Sequence, residues 1–353
     1  MISTSRFSFR LLPLCIALAL SVLTVDGQPQ PRPAAERRAN DSVVAQAESL
    51  LNAGKIDVAI EMLSVAARSK LVDPQVNYLL GHAYYQKGDY AHSIEFLSMA
   101  LKQLPADGQQ YRRAVNMLAL SHYLLGHLKE AIPYLEQVAW LAPDNLQIAY
   151  ALGVSYIQMR DLDKSRREFA RMFKLQPSSA AAYLINAQMM VRQQFEELAE
   201  QELQKALELN PKLPQANFLL GEMAIFHADI ERGIALLQKE IEINPSFAMA
   251  YYWLGEAYTR QLKWDEAIGP LQKSVWLNPY FSGPYIVLGK VYLKTGDLEK
   301  AESMLRRGIQ MDPNNFSAHN LLAQVLQRAN RSDEAKREFE LAEKLRTSAD
   351  KDQ

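Results

Sequence analysis

The amino-acid sequence predicts an all-α protein, a solenoid of about nine stacked helix–turn–helix units. Three markers recur together with a period of 34 residues. A proline precedes each new unit at Pro143, Pro177, Pro211, Pro245, Pro279 and Pro313. A Leu-Gly pair or a small equivalent follows at Leu152-Gly153, Asn186-Ala187, Leu220-Gly221, Leu254-Gly255, Leu288-Gly289 and Leu322-Ala323. A small residue stands twelve positions further on, at Ser165, Ala199, Gly233, Ala267, Ala301 and Ala335. Self-similarity at one fixed period is the mark of a repeat array and not of a single closed core.

Residues 248–281 show what each unit is built to do. Tyr251, Leu254, Gly255 and Tyr258 fall at i, i+3, i+4 and i+7, one face of a first helix. Trp264, Ala267, Ile268 and Leu271 make the matching face of a second helix. Gly255 and Ala267 are small where the two helices must approach closely. Asn278-Pro279 ends the second helix, because proline lacks the amide donor and disfavours helix in the residue before it. Two helices alone cannot bury these faces, so stacked neighbours must complete the core. Pro133 and Pro270 fall inside second helices and predict a late start or a bend there.

Upstream the period drifts. Leu80-Gly81, Tyr84, Gly88, Tyr90 and Pro105 mark one unit. Ala119, Gly126, Ala131 and Pro143 mark the next, after a four-residue insertion near Gly108. Residues 40–73 read as a degenerate first unit with Ala47, Gly54, Ala59 and Ala66. Terminal units of a stack are atypical because one face meets water.

The 34-residue unit, with Leu288-Gly289-Lys290-Val291-Tyr292 followed by Gly296-Asp297-Leu298 as its clearest copy, resembles the tetratricopeptide repeat family. The resemblance covers about residues 40–345. It implies a right-handed superhelix whose inner face, formed by the first helices, holds an extended peptide or a partner helix. It implies groove-facing side chains at the second, fifth, ninth and twelfth positions of each unit. Those expected to line the groove are Tyr78, His82, Asn116, Tyr150, Gln188, Phe218, Glu222, Tyr252, Glu256, Lys290, Asn320 and Gln324. The lysine, asparagine and arginine set with which some members clamp a terminal carboxylate is missing. Phe218, Glu222, Tyr252 and Glu256 suggest a local site for a basic or amide-bearing segment. The competing reading places the two rings partly in the core and leaves the glutamates as a solvated stripe.

Composition fits an interaction protein. Of 353 residues, 48% are apolar and 22% charged, and the net charge of −1 offers no footprint for a phosphate backbone. Nucleic acid is therefore not an expected partner; the resemblance implies a protein or peptide, and self-association stays open. The single cysteine, Cys15, lies in an apolar run over residues 11–25. That run follows Arg6 and Arg10 and precedes Val25-Asp26-Gly27, the pattern of an export signal over residues 1–27. A retained N-terminal anchor is the alternative; both readings put the repeats outside the cytoplasm, in the periplasm or extracellular. A Pro-rich linker is expected over 28–41, the solenoid over 42–345 and a polar tail over 346–353.

No catalytic, cofactor or metal site is expected. The histidines His82, His92, His122, His127, His227 and His319 form no metal-ligand pair with an intervening glutamate. The segment from Gly283 to Val291 has the wrong spacing for a phosphate loop and lacks its Ser or Thr. The sequence thus points to a non-catalytic scaffold, with an accessory or substrate-recognition subunit of an envelope enzyme or secretion complex as the alternative.

Overall fold

Among the described residues eighteen α-helices follow one another in nine pairs. They are α1 (Ala34–Asn52) with α2 (Ile56–Ala67), α3 (Pro74–Lys87) with α4 (Tyr90–Leu101), and α5 (Gln109–Leu124) with α6 (Leu128–Leu141). Next come α7 (Leu146–Gln158) with α8 (Leu162–Met172), α9 (Ala180–Arg192) with α10 (Glu196–Leu209), and α11 (Ala216–Phe226) with α12 (Ile230–Ile243). The last are α13 (Ala248–Arg260) with α14 (Trp264–Leu277), α15 (Ser282–Thr295) with α16 (Leu298–Met311), and α17 (Phe316–Arg328) with α18 (Ser332–Ala349). The computed structural model describes residues 34–68 and 73–349. The export signal expected over residues 1–27 lies outside the described residues, as does the start of the linker.

Two boundaries differ from expectation, and the late start expected of two proline-bearing helices does not occur. α1 begins at Ala34, inside the expected linker, because Pro33 is the last proline before a run of strong helix formers, Ala34-Ala35-Glu36-Arg37-Arg38. α18 runs to Ala349, into the expected polar tail. Pro133 and Pro270 sit inside α6 and α14, which start at the usual place.

Each pair closes through a small residue. A Cβ on Gly255 would stand 2.4 Å from Cγ of the buried Leu271 on α14, and one on Gly289 2.4 Å from Cγ of Leu305 on α16. Many second helices begin with a capping aspartate. Asp89, Asp161, Asp229 and Asp297 each accept from the backbone N–H three residues on, which satisfies one orphan donor of the first turn. This accounts for the aspartate of the Gly-Asp-Leu signature.

The turn inside each pair carries a left-handed residue at the fifteenth position, counting Ala248 as the first. Gly54, Gly88, Gly126 and Gly296 take it without penalty. Arg160, Gln194, Ala228, Leu262 and Asn330 adopt the same positive φ with a side chain attached. The turns between pairs are closed by a donor to the proline carbonyl. Tyr251 Oη donates to Pro245 O and Tyr285 Oη to Pro279 O, while His319 Nε2 meets Pro313 O at 3.0 Å.

Burial runs as a chain of apolar clusters along the stack, as it must when each unit touches only its neighbours. The join between α10 and α11 is the sparsest between consecutive helices. There the chain passes through Asn210–Gln215, and Gln215 enters α11 with φ 71°. The fully buried Glu240 of α12 covers this helix start, accepting the Gln215 N–H at 2.7 Å and the Phe218 N–H at 3.3 Å.

Candidate functional site

The first helices form the inner wall. α1 touches α3, α3 touches α5, and α11, α13, α15 and α17 touch in succession, whereas no two second helices meet as closely. Elements that approach their own kind lie at the smaller radius, so odd-numbered helices line the concave side. On each, the eighth position faces the second helix; the fifth, ninth and thirteenth follow at helical spacing around the exposed flank.

The twelfth position, expected in the groove, belongs to the core in four units, where Ile157, Ile225, Thr259 and Leu293 are buried, and is exposed in the last, at Gln327. It lies too near the eighth around the helix. The thirteenth takes its place and supplies Arg192, Phe226, Arg260, Lys294 and Arg328. Arg260 Nη1 donates to Ile225 O at 3.2 Å and Arg328 Nη1 to Leu293 O at 3.0 Å. These arginines cap the C-terminus of the preceding first helix, where a cation is favoured.

The twelve expected residues fall into local groups and not one cluster. Tyr78 is buried in the first core cluster, its ring centroid 6.2 Å from that of the half-buried His82. Burial lowers the His82 pKa, and Arg113 adds to the effect. Asn116 is half-buried, with Oδ1 sealed and unpartnered. Tyr150 is exposed and meets Phe169 edge-on. Gln188 donates to Gln215 Oε1 at 3.3 Å. Lys290 is half-buried, and the exposed Asn320 accepts from Gln324 at 2.6 Å.

Phe218 is a core residue, 8% exposed, with its ring 4.9 Å from Phe247 in a T-shaped contact. Tyr252 repeats that contact one unit on, 5.0 Å from Phe281, and remains half-buried on the inner wall. Burial raises its phenol pKa, and Glu256 adds to the rise. The two glutamates differ. Glu256 is held by Arg260 one turn along, at 3.5 Å, and accepts from Thr259 Oγ1 at 3.4 Å. Glu222, equally half-buried, has neither an ion-pair nor a hydrogen-bond partner among the described residues. Burial alone acts on its carboxyl and raises the pKa. One turn along from Glu222 stands Phe226, 61% exposed, its ring 5.4 Å from Trp253 of α13.

A cleft of about 770 Å³ lies elsewhere, between α8 and α10. Its charges compensate one another. Arg166 Nη1 donates to both oxygens of Glu202, at 2.9 and 3.2 Å, Nη2 pairs with Asp163, and the guanidinium lies 4.0 Å from the Tyr183 ring centroid. Asn186 Nδ2 donates to Glu202 at 2.7 Å, and Ser165 Oγ to Asn186 Oδ1 at 2.9 Å. In the sequence Ser165 and Asn186 stand among the small-residue markers, and their joint polarity in two adjacent units is the signal of this network. The segment Gly283–Val291 lies wholly within α15. Among the described residues no group of three or more His, Cys, Asp and Glu could hold a metal ion, and no helix is long and apolar enough to cross a membrane.

Two sequence profiles described as tetratricopeptide repeat match this chain, one over residues 44–108 and 218–279, the other over 123–188 and 292–347. The chain belongs to the tetratricopeptide repeat family. Among curated proteins it is similar to Protein CTR9 homolog of Arabidopsis thaliana, 30% identical over 171 residues, covering 46% of this chain and 15% of that one. It is also similar to Intraflagellar transport protein 88 homolog of Homo sapiens, 28% identical over 94 residues, covering 26% and 11%. The chain therefore spans under a sixth of the length of either relative. Among solved structures, MamA from Desulfovibrio magneticus RS-1 is 22% identical with a TM-score of 0.44, covering 48% of this chain and 96% of that one.

Proposed function

We propose that this protein is a non-catalytic scaffold that holds a partner protein or extended peptide against the concave wall of its odd-numbered helices. The observation that carries the reading is the wall itself. Its fifth, ninth and thirteenth positions are polar, charged or aromatic in most units and stay reachable in most, while the eighth is packed. A wall of this kind offers apolar anchors and hydrogen-bond groups along an extended track. The signal-like residues 1–27 support an extracytoplasmic location, periplasmic or extracellular. Site-specific photocrosslinking tests the reading. A photoreactive residue at Gln188, Lys290 or Gln324 is expected to trap the partner, and one at Lys239, on the exposed side of α12, is not. Adducts formed only from Lys239 would move the interface to the outer face.

A further inference from the structure

Glu222 stands apart from every other acid that the fold draws out of water. Among the described residues, each remaining partly or fully buried carboxylate has a donor: Glu168 has Arg171, Glu202 has Arg166, Glu240 has two backbone amides, Glu256 has Arg260 and Glu338 has His319. Glu222 has no hydrogen-bond or ion-pair partner among the described residues. A half-buried carboxylate without a donor costs stability, so among the described acids of this wall Glu222 has the most to gain from an incoming donor.

The same molecule shows what completes such a site. In the α8–α10 cleft an arginine, Arg166, donates from Nη1 to both oxygens of a glutamate while its guanidinium lies over an aromatic ring, Tyr183. Glu222 and Phe226 offer the other two components. They are one helical turn apart on α11, the spacing at which side chains are neighbours. Phe226 turns a largely exposed ring to solvent and is backed edge-on by Trp253, which fixes its plane. A planar guanidinium suits this pair better than an ammonium, because it forks onto a carboxylate and stacks on a ring at once. Glu256, one unit on, is not equivalent, since Arg260 already occupies it.

Resting on the concave-wall reading above, we propose that the inner face at α11 and α13 seats an arginine side chain of an extended partner segment, its guanidinium paired with Glu222 and stacked on Phe226. A library of random, disordered decapeptides displayed on phage and selected on the immobilised full-length chain tests this. Wild-type selection is expected to fix arginine at one position. Glu222→Gln should weaken the selected peptides about tenfold to a hundredfold, the range for loss of a charge-assisted hydrogen bond. Phe226→Ala should erase the preference for arginine over lysine, and Glu256→Gln should change neither. Unchanged helical circular dichroism and a melting temperature no lower than wild type in each variant exclude misfolding as the cause. Peptides that compete at the inner wall without an arginine signature, or an arginine signature that survives Glu222→Gln, would overturn the proposal and leave the concave-wall reading standing. Selection of no inner-wall binder at all would overturn both.

Discussion

The α8–α10 cleft and the α11–α13 wall hold similar chemistry in different states of completion. In the cleft, Arg166, Glu202, Asn186, Ser165 and Tyr183 satisfy one another, and Glu202 is almost wholly buried. On the wall, Glu222 and Phe226 have no third member. The larger cavity is therefore the poorer candidate for a ligand: its donors and acceptors are spent on holding units together. A smaller site with one unanswered charge has more to gain from an incoming group.

The comparison can be broken most severely at the cleft. Glu202→Ala is expected to cost about 3–5 kcal/mol, because Arg166 is left charged and shielded. Replacing both Arg166 and Glu202 with leucine should recover most of that loss, as chemical denaturation of the single and double variants would reveal. Gly255→Leu checks the packing frame next to the wall and should cost about 1–3 kcal/mol, since even a Cβ crowds Leu271. An unchanged melting temperature would refute the pairing of α13 with α14.

The wall gives a smaller effect of opposite sign. Glu222 has a pKa raised above its unfolded value by burial, so its favourable contribution is present below the unfolded pKa and is lost as pH rises through the folded one. Glu222→Gln should therefore melt higher than wild type at neutral pH, and the two curves should converge in acid. A variant less stable at neutral pH would show that Glu222 has a donor in the folded chain. The smallest change expected is at Leu262, an exposed side chain held at φ 60°. Leu262→Gly relieves the left-handed penalty but loosens the unfolded chain, for a net gain of about 0.5 kcal/mol. Thermal melts should resolve the sign.

The fold was legible because packing residues carry the period. Gly255 and Gly289 are glycine for the same reason in each unit, and Asp297 marks a helix start wherever it recurs. Five of the turns were not legible from glycine, because Arg160, Gln194, Ala228, Leu262 and Asn330 accept the left-handed conformation that the surrounding pair imposes. The candidate site was half legible. Phe218 shares its position with Tyr252 yet lies deeper, against Phe247, and only packing decides this. The contrast between the glutamates, however, was written in the chain. Glu256 has an arginine four residues on and Glu222 has a phenylalanine, so one is neutralised along its own helix and the other is not.

The sparse join between α10 and α11 makes the solenoid behave as a strand with one weak link. Cooperativity in such a stack passes only from neighbour to neighbour, so thermal opening concentrates where neighbours hold each other least. A protease should first cut within Asn210–Gln215, parting the chain into two multi-unit pieces. A partner segment that crossed this join on its way to Glu222 would act as a splint, and its presence would be read as slower cleavage at that one site.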